Sequence, residues 1–372
     1  MTTDIPSSMT AWRIAGFGGP EVLEKHRETV PMPVDDEVLV RVAFCGVCRH
    51  DLLTRSGAFP KVPLPLTLGH QVSGVVVAAG PEASWPTGTR VMSTIFMGCG
   101  RCEACTSGNQ AVCQRGYAKF MGDDFDGGYA EYLCVPSRAL LRVPDELSLE
   151  VAAVVNCTLG TAYHAAHTRG QVREGDQVVV TGASGGIGLH AISVLKLAGA
   201  RIIAITSRPD QAGLLYEHGA DEVIADPELK FGPTVKQLTG GVGADLVLEI
   251  VGDPTLAQSL HSVRAGGRVV VVGNVSGRPS EVRLAHLVLK EISLLGTKSC
   301  TSDELAEVMR LVAAGDLSVD ISRIIPLDDV RDAHVDMEEQ RTAGRILLEI
   351  GGDPDMTDAA GAADASATGV PA

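Results

Sequence analysis

A short apolar strand closed by three spaced glycines constrains this chain more than any other feature. QVVV (177–180) runs into TGASGGIG (181–188), and a helical pattern follows to about residue 198. Strand, tight turn and helix in that order need a backbone that can turn sharply and pack closely. Gly182, Gly185 and Gly188 supply that freedom. More Val/Ile-rich strands alternate with helical stretches: RIIAIT (201–206), DLVLEIVG (245–252) and GRVVVVG (267–273). Such strands, separated by helices, specify a parallel sheet covered on both faces. The expected fold class is α/β, with a doubly wound sheet over residues 156–296.

The glycine turn opens a helix, and a helix N-terminus offers amide N–H groups and a positive dipole end to an anion. Gly182, Ser184, Gly185, Gly186, Ile187 and Gly188 are therefore candidates to cradle the pyrophosphate of a dinucleotide. The other reading of the motif is a turn with a packing role alone. The second strand ends in Thr206, Ser207 and Arg208, with no carboxylate to accept from a ribose 2′-hydroxyl. Arg208 suits a 2′-phosphate, so NADP(H) is expected over NAD(H). The competing reading of Arg208 is a solvated loop residue.

Residues 1–155 have another texture, with short β-branched runs such as EVLVRVAF (37–44), VSGVVVAAG (72–80) and EYLCVP (131–136) between turn residues. That pattern predicts a β-rich, barrel-like domain. Residues 297–351 are too few for a core of their own and should return to it, making it discontinuous. Residues 352–372 hold little to bury and are expected to be disordered. A formal net charge of −15 repels nucleic acid. There is no apolar run of membrane-spanning length and no signal-peptide pattern, so a cytoplasmic location is expected. In that compartment nine cysteines read as metal ligands or packed thiols.

Cys99, Cys102, Cys105 and Cys113 follow the pattern C-x2-C-x2-C-x7-C. Four thiolates in one loop can close a tetrahedral shell around Zn²⁺, a structural site with no position for chemistry. A second set is dispersed: Cys45 and Cys48 in CGVCRHD (45–51), His70 in LGHQ (68–71), and Cys157 just before the α/β region. Two thiolates and one imidazole leave a fourth position open, as a catalytic zinc requires. Spacing alone does not choose between the cysteines.

These motifs, with DGGYAEY (126–132) and the glycine turn, stand in an order that resembles the medium-chain zinc alcohol dehydrogenases over residues 10–350. Within that superfamily the chain looks most similar to acryloyl-CoA-reductase-like and quinone-reductase-like members. The resemblance implies a Rossmann domain and a GroES-like catalytic domain, two zinc ions per chain, and a homodimer or homotetramer paired through an edge strand at 269–273. It makes Cys48, His70 and Cys157 the catalytic-zinc ligands, with Cys45 as a packed residue. It makes Asp51 the carboxylate that orients His70, and Arg49 a pyrophosphate contact. His164, His167 and His190 read as structural, and Phe59, Trp85 and Phe96 as candidates for the cleft wall.

Two positions depart from the family pattern. His50 stands where a hydroxyl usually carries the alcohol proton, and Gln71 stands where a glutamate approaches the zinc. The expected function is hydride transfer between NADP(H) and a small alcohol, aldehyde or ketone, with His50 as proton carrier. The alternative is NADPH-dependent reduction of an activated C=C bond. A third reading, from another class, is a non-catalytic NADPH-binding protein.

Overall fold

The computed structural model describes residues 5–116 and 118–352; the tail expectation falls on residues outside this range, apart from Gly352. Six parallel strands form one sheet. In spatial order they are Glu222–Ala225, Arg201–Thr206, Gln177–Val180, Ala244–Glu249, Val263–Val271 and Ser293–Gly296. In chain order this reads 3-2-1-4-5-6, so the connections reverse direction beside Gln177–Val180. Ligand crevices open at such a reversal, outside the carboxyl ends of the strands. Val178, Val179, Val180, Ile202, Ile203 and Leu246 are fully buried because helices cover both faces.

The expected edge strand at 269–273 is corrected. Val263–Val271 lies between two neighbours, and Ser293–Gly296 is the edge. An unbroken valine run is the signature of a strand buried on both sides; the true edge reads SLLG and is half-exposed.

The second sheet runs Leu140–Arg142, Arg90–Ser93, Gln71–Ala79, Glu37–Val47, Arg345–Glu349 and Ile321–Pro326, with Tyr132–Pro136 also paired to Glu37–Val47. The chain thus returns after the six-stranded sheet. Ile346–Glu349 pairs antiparallel with Phe44–Val47, in the register Leu348 opposite Cys45. Trp85 packs half-buried against the apolar core of this part and does not reach the cleft. No helix among the described residues is long and apolar enough to cross a membrane.

Candidate active site

A cleft of about 620 Å³ lies between the two sheets, at the reversal point. Cys48, Arg49, His50, Leu53, Phe59, His70, Phe96, Phe120 and Cys157 line one end. Gly182, Ser184, Gly185, Gly186, Ile187 and Thr206 to Arg208 line the other.

Cys48 is the cap of the helix Arg49–Ser56. Its amide donates to Asp51 Oδ2 at 2.8 Å, and the turn fixes the thiol at the helix N-terminus. His70 follows Gly69, whose φ of +97° puts the chain in a left-handed turn before the next strand. Cys157 sits where the helix Leu149–Val155 widens into a π-helical turn, Asn156–Gly160. Such widened turns re-aim single side chains and recur at functional sites.

The three donor atoms lie within 4.8 Å of one another. Cys48 Sγ is 4.0 Å from Cys157 Sγ, and Cys157 Sγ is 3.6 Å from His70 Nε2. Around a tetrahedral zinc with Zn–S of about 2.3 Å and Zn–N of about 2.0 Å, those edges are roughly 3.8 and 3.5 Å. The donor set fits Zn²⁺. The Cys48 thiol is held well below its ordinary value, first by its hydrogen bond with Cys157 and then, against burial, by Arg345 and His70. His70 Nδ1 meets Asp51 Oδ1 at 3.0 Å, so the imidazole presents Nε2 to the metal position.

Cys45 is fully buried, its thiol pushed well up by burial, and it is not part of the donor set. Gln71 does not reach the cleft wall. Its side chain is buried beside Gly46, and neither amide atom has a protein partner. His50 lines the cleft, stacked between Phe59 and Phe120 with ring centroids 4.9 and 4.3 Å away. Its Nε2 bonds Asp123 Oδ2 at 2.6 Å, and Asp123 Oδ1 accepts from Thr54 Oγ1 at 2.6 Å.

The four-cysteine loop closes as its spacing suggests. Cys102 Sγ is 3.4 Å from Cys105 and 3.9 Å from Cys113, and Cys99 is 4.0 Å from Cys105. Amides of Cys105 and Gln114 help hold the Cys102 thiol down to about 6. These four sulfurs also fit a tetrahedral zinc.

At the other end, Gly182 has a φ of +58°, and a Cβ on Gly188 would stand 2.3 Å from Gly182 O. One glycine makes the turn and the other lets the helix Gly186–Leu197 close on it. Thr206 is buried; its Oγ1 sits 3.3 Å from Ser184 Oγ and accepts from the Arg208 amide at 3.1 Å. The Arg208 guanidinium reaches Asp210 at 3.2 Å and the Gln340 carbonyl. Arg49 lines the cleft with no ion-pair partner among the described residues.

Several functional residues escaped the sequence. Arg345 is buried, donates to Val47 O at 3.1 Å, and stands between the Cys48/Cys157 thiols and Gly186. Its place at the head of RILLEI read only as a strand start. Glu249 is fully buried at the end of Ala244–Glu249, where it collects donors from Thr181, Val251, Gly252, Thr255 and Ser259. Asp123 lay in a loop of similar acids, MGDDFDGG, with nothing to single it out.

His164 pairs with Glu304 at 2.8 Å and His190 accepts from the Asp320 amide at 3.0 Å, both away from the metal positions. His167 is half-buried beside Tyr163.

Residues 34–145 match the family described as Alcohol dehydrogenase GroES-like domain, and residues 186–314 that described as Zinc-binding dehydrogenase. The acryloyl-coenzyme A reductase of Sulfurisphaera tokodaii is 33% identical over 86% of this chain and 94% of its own. Among solved structures, AibC superposes with a TM-score of 0.85 at 40% identity, covering 92% of this chain and 96% of that one. A structure described as NAD-dependent alcohol dehydrogenase gives 0.85 at 34% identity, with 92% and 100% coverage.

Proposed function

The chain belongs to the medium-chain dehydrogenase/reductase superfamily, and from that premise we propose that it is a zinc-dependent, NADP(H)-linked oxidoreductase acting on small alcohols, aldehydes or ketones. The observation that carries this is the convergence of Cys48, His70 and Cys157, brought together from three separate segments onto the wall of the dinucleotide cleft. A zinc ion held by these residues would polarise a substrate oxygen, while the nicotinamide supplies or takes the hydride.

The chain's own groups do the rest. His50 Nε2–H donates to Asp123, which leaves Nδ1 as the ring nitrogen that exchanges a proton with substrate. Phe59, Phe96 and Phe120 wall the reacting end and exclude water. Arg49 and the Gly186–Leu197 helix N-terminus receive the pyrophosphate, and Arg208 receives the 2′-phosphate. Cys99, Cys102, Cys105 and Cys113 hold a structural zinc that pins their loop. The functional unit is a homodimer or homotetramer. Supporting this, Leu284, Val288 and Leu289 are 70, 74 and 83% exposed on the helix beside the edge strand.

A second reading has a specific observation behind it. The similarity to acryloyl-coenzyme A reductase favours hydride delivery to the β-carbon of an unsaturated thioester, whose carbonyl a zinc ion held by Cys48, His70 and Cys157 would polarise. A screen with NADPH and NADH against aldehydes and ketones, and in parallel against enals, enones and enoyl thioesters, separates the two. Turnover confined to the C=C panel overturns the first reading. Zinc analysis of wild type and Cys48→Ala supplies the metal count: two per chain against one.

A further inference from the structure

We propose that Arg55, His334 and Tyr129 form a positioning relay that holds Asp51 as a pure acceptor and thereby sets how firmly His70 grips its metal ion. The inference rests on the reading that His70, Cys48 and Cys157 hold zinc. It concerns residues that touch neither metal nor cleft.

The four side chains are buried, with Arg55 at 1%, Tyr129 at 0%, His334 at 0% and Asp51 at 2% exposure. They come from three places: two from the helix Arg49–Ser56, one from the loop before Tyr132–Pro136, and one from the helix Val330–Glu338. A guanidinium can only donate. Arg55 Nη1 lies 3.2 Å from His334 Nδ1, so Nδ1 accepts and the ring proton is on Nε2. His334 Nε2 lies 3.1 Å from Tyr129 Oη and therefore donates to it. The phenol hydrogen is then free for Asp51 Oδ2, 3.3 Å away. Asp51 Oδ2 also takes the Cys48 amide at 2.8 Å, and Oδ1 takes His70 Nδ1–H at 3.0 Å.

Every link has one permitted direction, and Arg55 sets it. The far end is anchored, since Arg55 also donates to Gly18 O at 3.2 Å and pairs with Glu338. The ionisation states agree with this polarity. Burial pushes His334 down to about 3, so it is neutral, and raises the Tyr129 phenol well above its usual value, so it keeps its proton. A carboxylate fixed by three donors cannot swing, and His70 stays in the Nδ1–H tautomer with Nε2 directed at the metal.

Tyr129→Phe keeps the ring and cuts the relay at Asp51; His334→Leu cuts it one link further out. Zinc release to a chromophoric chelator is followed for wild type, both variants and the double variant. The four-cysteine site serves as internal reference, and Cys48→Ala assigns the two phases. Release from the three-ligand site should quicken roughly 3- to 10-fold in each variant, below the range of about 10- to 100-fold for a group bonded directly to a ligand. The four-cysteine phase should not move. The double variant should be no faster than Tyr129→Phe, because one broken relay cannot be broken twice. Cobalt-loaded Tyr129→Phe should show a shifted visible band. Wild-type release rates in folded variants, or effects that simply multiply in the double variant, overturn the relay. A wild type holding one zinc per chain overturns the ligand set and the relay with it.

Discussion

Glu249 offers the sharpest stability prediction. Its Oε1 accepts from Thr181 Oγ1 at 2.8 Å, Val251 N at 3.0 Å, Gly252 N at 2.9 Å and Thr255 Oγ1 at 2.6 Å; Oε2 accepts from Ser259 Oγ. The carboxylate ties the strand end to the glycine turn and to the 250–252 segment, whose Ile250 and Val251 line the cleft. In Glu249→Ala two hydroxyls have other acceptors: Thr255 can use Gly252 O at 3.3 Å and Thr181 can use Leu248 O at 3.5 Å. The Val251 and Gly252 amides and the Ser259 hydroxyl do not. Three orphaned buried donors at about 1–3 kcal/mol each make the loss roughly 3–9 kcal/mol. In Glu249→Gln the amide oxygen keeps the four Oε1 bonds and the new NH₂ meets a serine hydroxyl that can accept. That variant should lose only about 1 kcal/mol. Urea denaturation by far-UV circular dichroism suits the test, because Trp12 and Trp85 both lie outside the six-stranded sheet. NADPH affinity, measured by calorimetry, should fall at least about tenfold in Glu249→Ala and under about threefold in Glu249→Gln. A Glu249→Ala protein within about 1 kcal/mol of wild type, binding NADPH normally, refutes the reasoning.

Acid should destabilise the fold earlier than carboxylate titration alone would. Burial pushes His190 down to about 4 and His334 to about 3, so both are neutral when folded. The unfolded chain then binds more protons below about pH 6.5. Stability, complete above that pH, falls by roughly 1.4 kcal/mol per pH unit for each histidine down to about pH 4. Urea midpoints at pH 7.5 and 5.5 test this, and equal midpoints contradict it. Arg208→Ala should raise KM for NADPH about 10- to 100-fold, the worth of a charge-assisted phosphate contact, while NADH kinetics change less than about threefold. An equal rise for both cofactors sinks the 2′-phosphate role. Asp123→Ala should lower kcat by about 10- to 100-fold with zinc content intact, since it removes the acceptor of His50 Nε2–H while Thr54 keeps the His50 carbonyl as its own acceptor; unchanged kcat argues against His50 as the proton carrier. Leu289→Lys with Val288→Glu should yield a monomer by light scattering, and an unchanged assembly mass places the subunit contact elsewhere.

What was legible in the sequence follows from periodicity and short-range spacing. The alternation of Val/Ile strands with helices announced the parallel sheet, and the spacing of Cys99 to Cys113 announced a closed sulfur shell, because both are local patterns. That RILLEI would pair back with the first sheet was also readable, since so short a stretch cannot build a core of its own. Long-range partnership was not. Nothing near Arg345 says that a buried guanidinium will face thiols from residues 48 and 157. Nothing near His334 says that it will stand behind His70, a candidate metal ligand 264 positions away. Charged and polar residues mostly read as surface, so those that tertiary packing buries and pairs are the ones a linear reading passes over. The misplaced edge strand has the same origin, because strand order is a property of the whole sheet.

The late arrival of the strand Arg345–Glu349 bears on how the protein is made. The end of Glu37–Val47 pairs with Gln71–Ala79 on one side, but its other side waits for a strand whose first residue lies 298 positions beyond Val47. At ribosomal speeds of about 5–20 residues per second, that wait is roughly 15–60 s. Throughout it, an apolar strand end carrying the approach to Cys48 has an unsatisfied edge, a template for pairing with other nascent chains. Ribosome-bound chains stopped short of residue 345 should therefore be chaperone clients. Arrival of this strand both seals that edge and delivers Arg345 to the thiols, so assembly of the cleft wall waits until residue 345 and its strand have been made.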